Sequence, residues 1–120
     1  MPRILYVEDD PNNRLLVRRI LMSEGVTVEE AENALEGISK ALSTLPDLIL
    51  MDISMPGMDG LQATMEIRNN PEIAHIPVVA LTANVMDGDR EMTLNAGCNG
   101  YIGKPIDVDT FADEVFGFLR

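Results

Sequence analysis

Residues Leu48-Ile49-Leu50-Met51 form an unbroken apolar run between Pro46-Asp47 and Pro56-Gly57. A run without polar alternation, bounded by turn-formers, suits a strand buried on both faces of a parallel sheet. It ends in a carboxylate, Asp52. In open α/β sheets, ligands bind outside the carboxyl ends of the strands. The stretch Ser54-Met55-Pro56-Gly57-Met58-Asp59-Gly60 then reads as a loop whose backbone can approach a ligand closely. A lone Asp after a strand is usually a cap or turn residue. It acquires chemistry only if other strands aim polar groups at the same point.

The rest of the chain can be read for that convergence. Arg3 to Val7 is a short apolar strand that runs into three acids, Glu8, Asp9 and Asp10. Asp10 before Pro11 is a helix N-cap signal. Leu15, Leu16, Val17 and Ile20 supply the inner face of a helix reaching about Glu24, where Gly25 stops it. A second strand runs from Val26 to about Ala31. Asn33 with Glu36 resembles a capping box, and Leu35, Ile38, Leu42 and Leu45 follow at helical spacing. The third strand covers Asp47 to Met51, and a helix from Leu61 to about Arg68 breaks at Asn69-Asn70-Pro71. Pro77 to Leu81 is a fourth buried strand ending in Thr82. A helix over Met86 to Ala96 carries Gly88 and stops at Gly97. Gly100 to Gly103 is a fifth strand leading to Lys104-Pro105. Asp107 caps a last helix with Val108, Phe111, Val115 and Phe118 inward.

Five strands alternating with five helices predict an α/β fold: a parallel sheet covered on both faces by right-handed crossovers. Among doubly wound orders, the flavodoxin-like 2-1-3-4-5 suits a (βα)5 chain. The 120 residues, of which 46% are hydrophobic, suffice for one domain over 1–120 with a core of its own. One cysteine, Cys98, excludes an intramolecular disulfide and reads as a small buried hydrophobe. No signal peptide is visible. No apolar run approaches the roughly 18 residues of a membrane helix. A cytoplasmic protein is expected. The formal net charge of −11 argues against direct nucleic-acid or anionic-membrane binding and suits a cation or a basic partner.

In that fold the switch point lies between strands one and three. Glu8 and Asp9, Asp52, Thr82 and Lys104 would all stand on one rim. Three close carboxylates repel unless a cation sits among them, and hard oxygen ligands suit Mg²⁺. A carboxylate beside Mg²⁺ can attack a phosphoryl group. The peripheral oxygens then need neutralising, which Lys104 and the Thr82 hydroxyl can share.

Val7-Glu8-Asp9-Asp10, Leu48 to Asp52, Met55 to Gly60, Leu81-Thr82-Ala83 and Gly103-Lys104-Pro105 together resemble the receiver domains of bacterial two-component response regulators. The resemblance spans essentially the whole chain. It implies that Asp52 accepts a phosphoryl group from a phosphohistidine of a sensor histidine kinase or histidine phosphotransfer protein. It implies Mg²⁺ held directly by Asp9, Asp52 and the Ser54 carbonyl, with Glu8 acting through water. Thr82 and Lys104 would contact the phosphoryl group, and Lys104-Pro105 is often cis in such domains. Tyr101 stands where the family carries its switching aromatic. Thr82 and Tyr101 would then reshape a surface read by a downstream protein target. The domain catalyses only its own phosphorylation and dephosphorylation, and so is not an enzyme in the usual sense.

Rival readings fare less well. A P-loop needs G-x-x-x-x-G-K-[ST], and the stretch before Lys104 fails it: Cys98 replaces the first glycine and Pro105 the hydroxyl residue. An aspartyl-phosphate phosphatase of the haloacid-dehalogenase type usually carries a second Asp two residues after the first, where Ser54 stands. A receiver-like interaction module not regulated by phosphorylation would tolerate a missing site residue, and none is missing. His75 reads as a loop residue and the eight methionines as mostly core filler, with Met55, Met58 and Asn84 near any partner at the rim. No output domain is expected after the fifth helix; a free-standing receiver and a part of a larger regulator or hybrid kinase both fit these residues.

Overall fold

The structure, a computed structural model, describes residues 2–53, 58–83 and 89–119. Its strands are β1 (Arg3–Val7), β2 (Thr27–Ala31), β3 (Leu48–Asp52), β4 (Val78–Thr82) and β5 (Gly100–Gly103). Its helices are α1 (Pro11–Met22), α2 (Ala34–Thr44), α3 (Gly60–Arg68), α4 (Asp89–Ala96) and α5 (Phe111–Leu119). All strand pairs are parallel and the order is β2-β1-β3-β4-β5, the doubly wound order expected from the alternation.

Side-chain alternation along the strands divides the core in two. Leu5, Val7, Ile49, Met51, Val78 and Ala80 pack with Ala34, Ala41, Ala63 and Ile67, on the face of α2 and α3. Ile4, Tyr6, Leu48, Leu50, Val79 and Leu81 pack with Val17, Leu21, Phe111 and Val115, on the face of α1 and α5. Every residue of β3 and β4 is buried, as expected of central parallel strands.

Several local expectations need correction. In α2 the inward line is Ala34, Gly37 and Ala41, while Leu35 and Leu45 are 69% and 57% exposed. The helix lies so close to β1 that a Cβ on Gly37 would stand 2.6 Å from Val7 Cγ2. Only small residues fit that line, so Ile38 and Leu42 pack from its flank. In α1 Leu21 is buried together with Val17, whereas Leu15 and Leu16 are half-buried. The last helix begins at Phe111, not beside Asp107. The Asp107 carboxylate instead accepts from the Asp109 N–H at 2.9 Å, making a turn that leaves Val108 exposed. Among the described methionines, Met22, Met65 and Met92 are exposed rather than core, Met58 is half-buried and Met51 is fully buried. Residues 84–88, which include the first three positions of the helix expected over Met86 to Ala96, lie outside the described residues.

Arg68, the last residue of α3, ties the opposite end of the sheet. Its guanidinium donates to the carbonyls of Gly97, Ala74 and Ile76 and to Asn99 Oδ1 at 2.7–3.0 Å. Asn99 Oδ1 also accepts from Val78 N at 2.9 Å, so the start of β4 is held through the same knot.

Candidate functional site

Strand register brings the predicted residues to one rim. Val7 pairs with Met51, so the next residues, Glu8 and Asp52, leave adjacent strands side by side. Both follow the parity of Tyr6 and Leu50 and emerge toward the α1 and α5 face. Glu8 and Asp52 are 1% and 2% exposed, while Asp9 is open to solvent. Carboxylate oxygens of Glu8, Asp9 and Asp52 lie within 4.8 Å of one another.

Lys104 comes from the loop after β5, whose first N–H donates to the Thr82 carbonyl at 2.7 Å. The peptide to Pro105 is cis. The ammonium stands 3.1 Å from both Glu8 Oε1 and Asp52 Oδ1 and bridges the two buried acids. Thr82 is buried at the tip of β4, on the opposite side-chain parity from Asp52. Tyr101 is half-buried in β5, and packs against the core on the α2 and α3 face. A cleft of about 360 Å³ opens beside Lys104, walled by Asn13, Leu16, Ala83, Pro105 and Ile106. Ser54, Met55 and Asn84 lie outside the described residues.

The electrostatics follow from this crowding. Burial alone would lower the Lys104 pKa, but Asp52 and Glu8 more than offset it, and the ammonium is held above its ordinary value. Desolvation, then the neighbouring Glu8 carboxylate, raises Asp9 above the usual carboxylate value, with Lys104 pulling the other way. Among the described residues, two buried carboxylates and a third at the rim surround the Lys104 ammonium, so negative charge is in excess there. All the donors are hard carboxylate oxygens, the set that suits a divalent cation such as Mg²⁺.

The residues that hold these acids in place were not anticipated. The Tyr6 hydroxyl donates to Glu8 Oε1 at 2.9 Å from inside the core. Arg14 Nη1 donates to the Glu8 carbonyl at 2.7 Å, and its guanidinium lies 3.9 Å from Glu30. A tyrosine in an otherwise aliphatic strand, two residues before a same-face Glu, was the available signal. Asp10 caps α1 as expected, accepting from Asn12 N at 2.8 Å. Cys98 is buried, its thiol 3.6 Å from Thr64 Oγ1, and burial raises its pKa. His75 is an exposed turn residue.

Comparison with known proteins agrees with this geometry. The family model described as response regulator receiver domain matches residues 4–116. The polar-differentiation response regulator DivK of Brucella anthropi is 39% identical over 120 residues, covering 99% of this chain and 98% of the relative. Among solved structures, the receiver domain of the sensor histidine kinase PA1611 from Pseudomonas aeruginosa has a magnesium ion coordinated in its active site cleft. It is 36% identical with a TM-score of 0.89, covering 98% of this chain and 97% of that one. The chemotaxis protein CheY4 of Vibrio cholerae is 25% identical with a TM-score of 0.92, over 98% of each chain. Among the described residues no helix is long and apolar enough to cross a membrane. With acids at the ends of β1 and β3 meeting a lysine after β5, and matches over nearly its whole length, this chain belongs to the response regulator receiver domain family of two-component systems.

Proposed function

We propose that residues 1–120 form one receiver domain in which Asp52 is the phosphoryl acceptor, supplied by a phosphohistidine of a sensor histidine kinase or phosphotransfer protein. The observation that carries this reading is the Asp52 carboxylate, buried at the tip of the central strand, 3.1 Å from Lys104 and within 4.8 Å of the other acids. An oxygen of Asp52 attacks phosphorus, the P–N bond to the donor imidazole breaks, and an acyl phosphate forms. Lys104 would pair with a phosphoryl oxygen, and the Thr82 hydroxyl would donate to another. Hydrolysis by water returns the carboxylate, so the domain turns over no separate substrate.

Glu8, Asp9 and Asp52, with the Ser54 carbonyl, are the residues that would hold Mg²⁺. When bound, the ion neutralises the acids and the charge developing on the phosphoryl oxygens. The magnesium in the PA1611 receiver domain supports that choice of metal. The excess of acidic residues favours a protein target over nucleic acid, and a cytoplasmic setting suits a phosphohistidine donor. The target would read a surface that Thr82 and Tyr101 reshape.

Incubation with Mg²⁺ and acetyl phosphate should add the mass of one phosphoryl group, and Asp52→Asn should abolish the gain. Undiminished labelling of Asp52→Asn would overturn the assignment.

A further inference from the structure

Glu8 is unusual in where its side chain is satisfied. Its Oε1 receives three side-chain donors: the Tyr6 hydroxyl at 2.9 Å, Lys104 Nζ at 3.1 Å and Asn13 Nδ2 at 3.4 Å. Its Oε2 meets the Asp10 N–H at 3.4 Å, a long contact. The carboxylate is therefore engaged unevenly, and Oε2 keeps the spare capacity. Of the three donors, Lys104 is the one the phosphoryl group would draw away, and Asn13 is the weakest by distance. Tyr6 is fully buried in β1, so its ring has no alternative position. A buried phenol needs a partner, but an apolar strand position could be filled by an aliphatic residue that needs none.

We propose that Tyr6 is a positioning residue for the metal site, fixing Glu8 through Oε1 so that Oε2 is presented to the cation. It touches neither metal nor phosphoryl group. Outer partners of this kind orient the ligands they hold and raise their effective affinity. The bond also keeps Glu8 satisfied when Lys104 moves off, so the buried acid is not stranded at the moment the site works. The inference rests on the metal-dependent reading of the rim.

The test is a double-mutant cycle read by Mg²⁺ titration, with thermal unfolding in EDTA as a control. Tyr6→Phe should weaken Mg²⁺ binding roughly ten-fold, the low end for an outer partner. In a Glu8→Gln background the same change should have no further effect on affinity. Unchanged affinity in Tyr6→Phe, or an equal loss in the Glu8→Gln background, would overturn the role. Failure of wild type itself to bind Mg²⁺ would instead overturn the metal site. A second measurement spares Tyr6. The chain has two tyrosines and no tryptophan, so in Tyr101→Phe the near-ultraviolet tyrosine band belongs to Tyr6 alone. Mg²⁺ should produce a difference spectrum there that saturates with the binding curve, and its absence would count against the proposal even if Tyr6→Phe did not fold.

Discussion

Gly60 lies directly against the main chain of Asp52. A Cβ added there would collide with the Asp52 carbonyl oxygen and stand 2.7 Å from Ile53 Cα. The helix α3 thus starts against the proposed acceptor, its first turn held by a capping box between Asp59 and Gln62. Both sides of the contact are backbone, so neither can yield by changing rotamer. Gly60→Ala should cost about 1–3 kcal/mol, the usual range for overpacking. It should also lower phosphorylation by acetyl phosphate by more than its loss of stability explains. Denaturant unfolding and mass spectrometry on the same samples check this, and wild-type labelling in a destabilised Gly60→Ala would refute the link to Asp52.

Lys104 joins two acids that are almost fully enclosed, and it is itself only one-fifth exposed. Removing the cation leaves two buried carboxylates, Glu8 and Asp52, side by side with no ammonium bridging them. Breaking a buried pair costs about 3–5 kcal/mol, and the partial exposure of Lys104 points to the lower end. Lys104→Met should therefore lose about 3 kcal/mol in EDTA. Mg²⁺ should restore part of that loss by mass action. Equal destabilisation with and without millimolar Mg²⁺, by thermal unfolding, would show that the rim does not exchange one cation for the other.

The parts of this architecture that were legible share a physical cause. A strand buried on both faces must be apolar throughout, so the first charged residue after it marks its carboxyl end. That rule located Glu8 and Asp52 before any geometry. What was hidden depends on contacts with no local pattern. The leucines of α2 have helical spacing, yet close approach to Val7 reserves the inner line for Ala34, Gly37 and Ala41. Arg68 binds acceptors between 6 and 31 residues away, and nothing around it announces the knot. The Tyr6 hydroxyl sits within an apolar strand, where hydropathy registers only its ring.

The same phenol predicts an alkaline signature. Burial first, then the Glu8 carboxylate, pushes the Tyr6 pKa far above its ordinary value of 10.0. The native state therefore holds this proton more tightly than the unfolded chain. Its contribution to stability is whole below pH 10 and is lost progressively as pH rises above it. In a tyrosinate absorbance titration, one tyrosine should ionise only together with unfolding. Tyr6→Phe should lack that step and lose less stability between neutral and strongly alkaline pH. Two tyrosinates formed in folded protein would contradict the burial argument.

The last prediction concerns how the rim would speak to a distant surface. Tyr101 pairs with Ala80, two residues before Thr82 on β4, so Thr82 and Tyr101 leave the same face of the sheet one pleat apart. Thr82 is buried at the tip, and Tyr101 is half-buried beside a groove of about 410 Å³ lined by Asp113, Glu114, Gly117 and Phe118 of α5. A Thr82 hydroxyl drawn toward a phosphoryl group would vacate volume on the face that Tyr101 shares, which the ring could then enter. The two would then form a bistable element whose population the phosphoryl group shifts. Thr82→Ala should still take up some phosphate, because Asp52 and Lys104 remain. It should weaken the response of α4, β5 and α5, by about 1–3 kcal/mol if the coupling is of ordinary size. Amide-resonance mapping with and without beryllofluoride, in wild type and Thr82→Ala, measures this directly. Wild-type shifts should reach Tyr101 and α5, and those distant shifts should shrink in the variant. If wild-type shifts stop at the rim around Asp52, Tyr101 does not transmit the signal, and a target must instead read the loops beside the phosphoryl group, where Met55, Met58 and Asn84 lie in sequence.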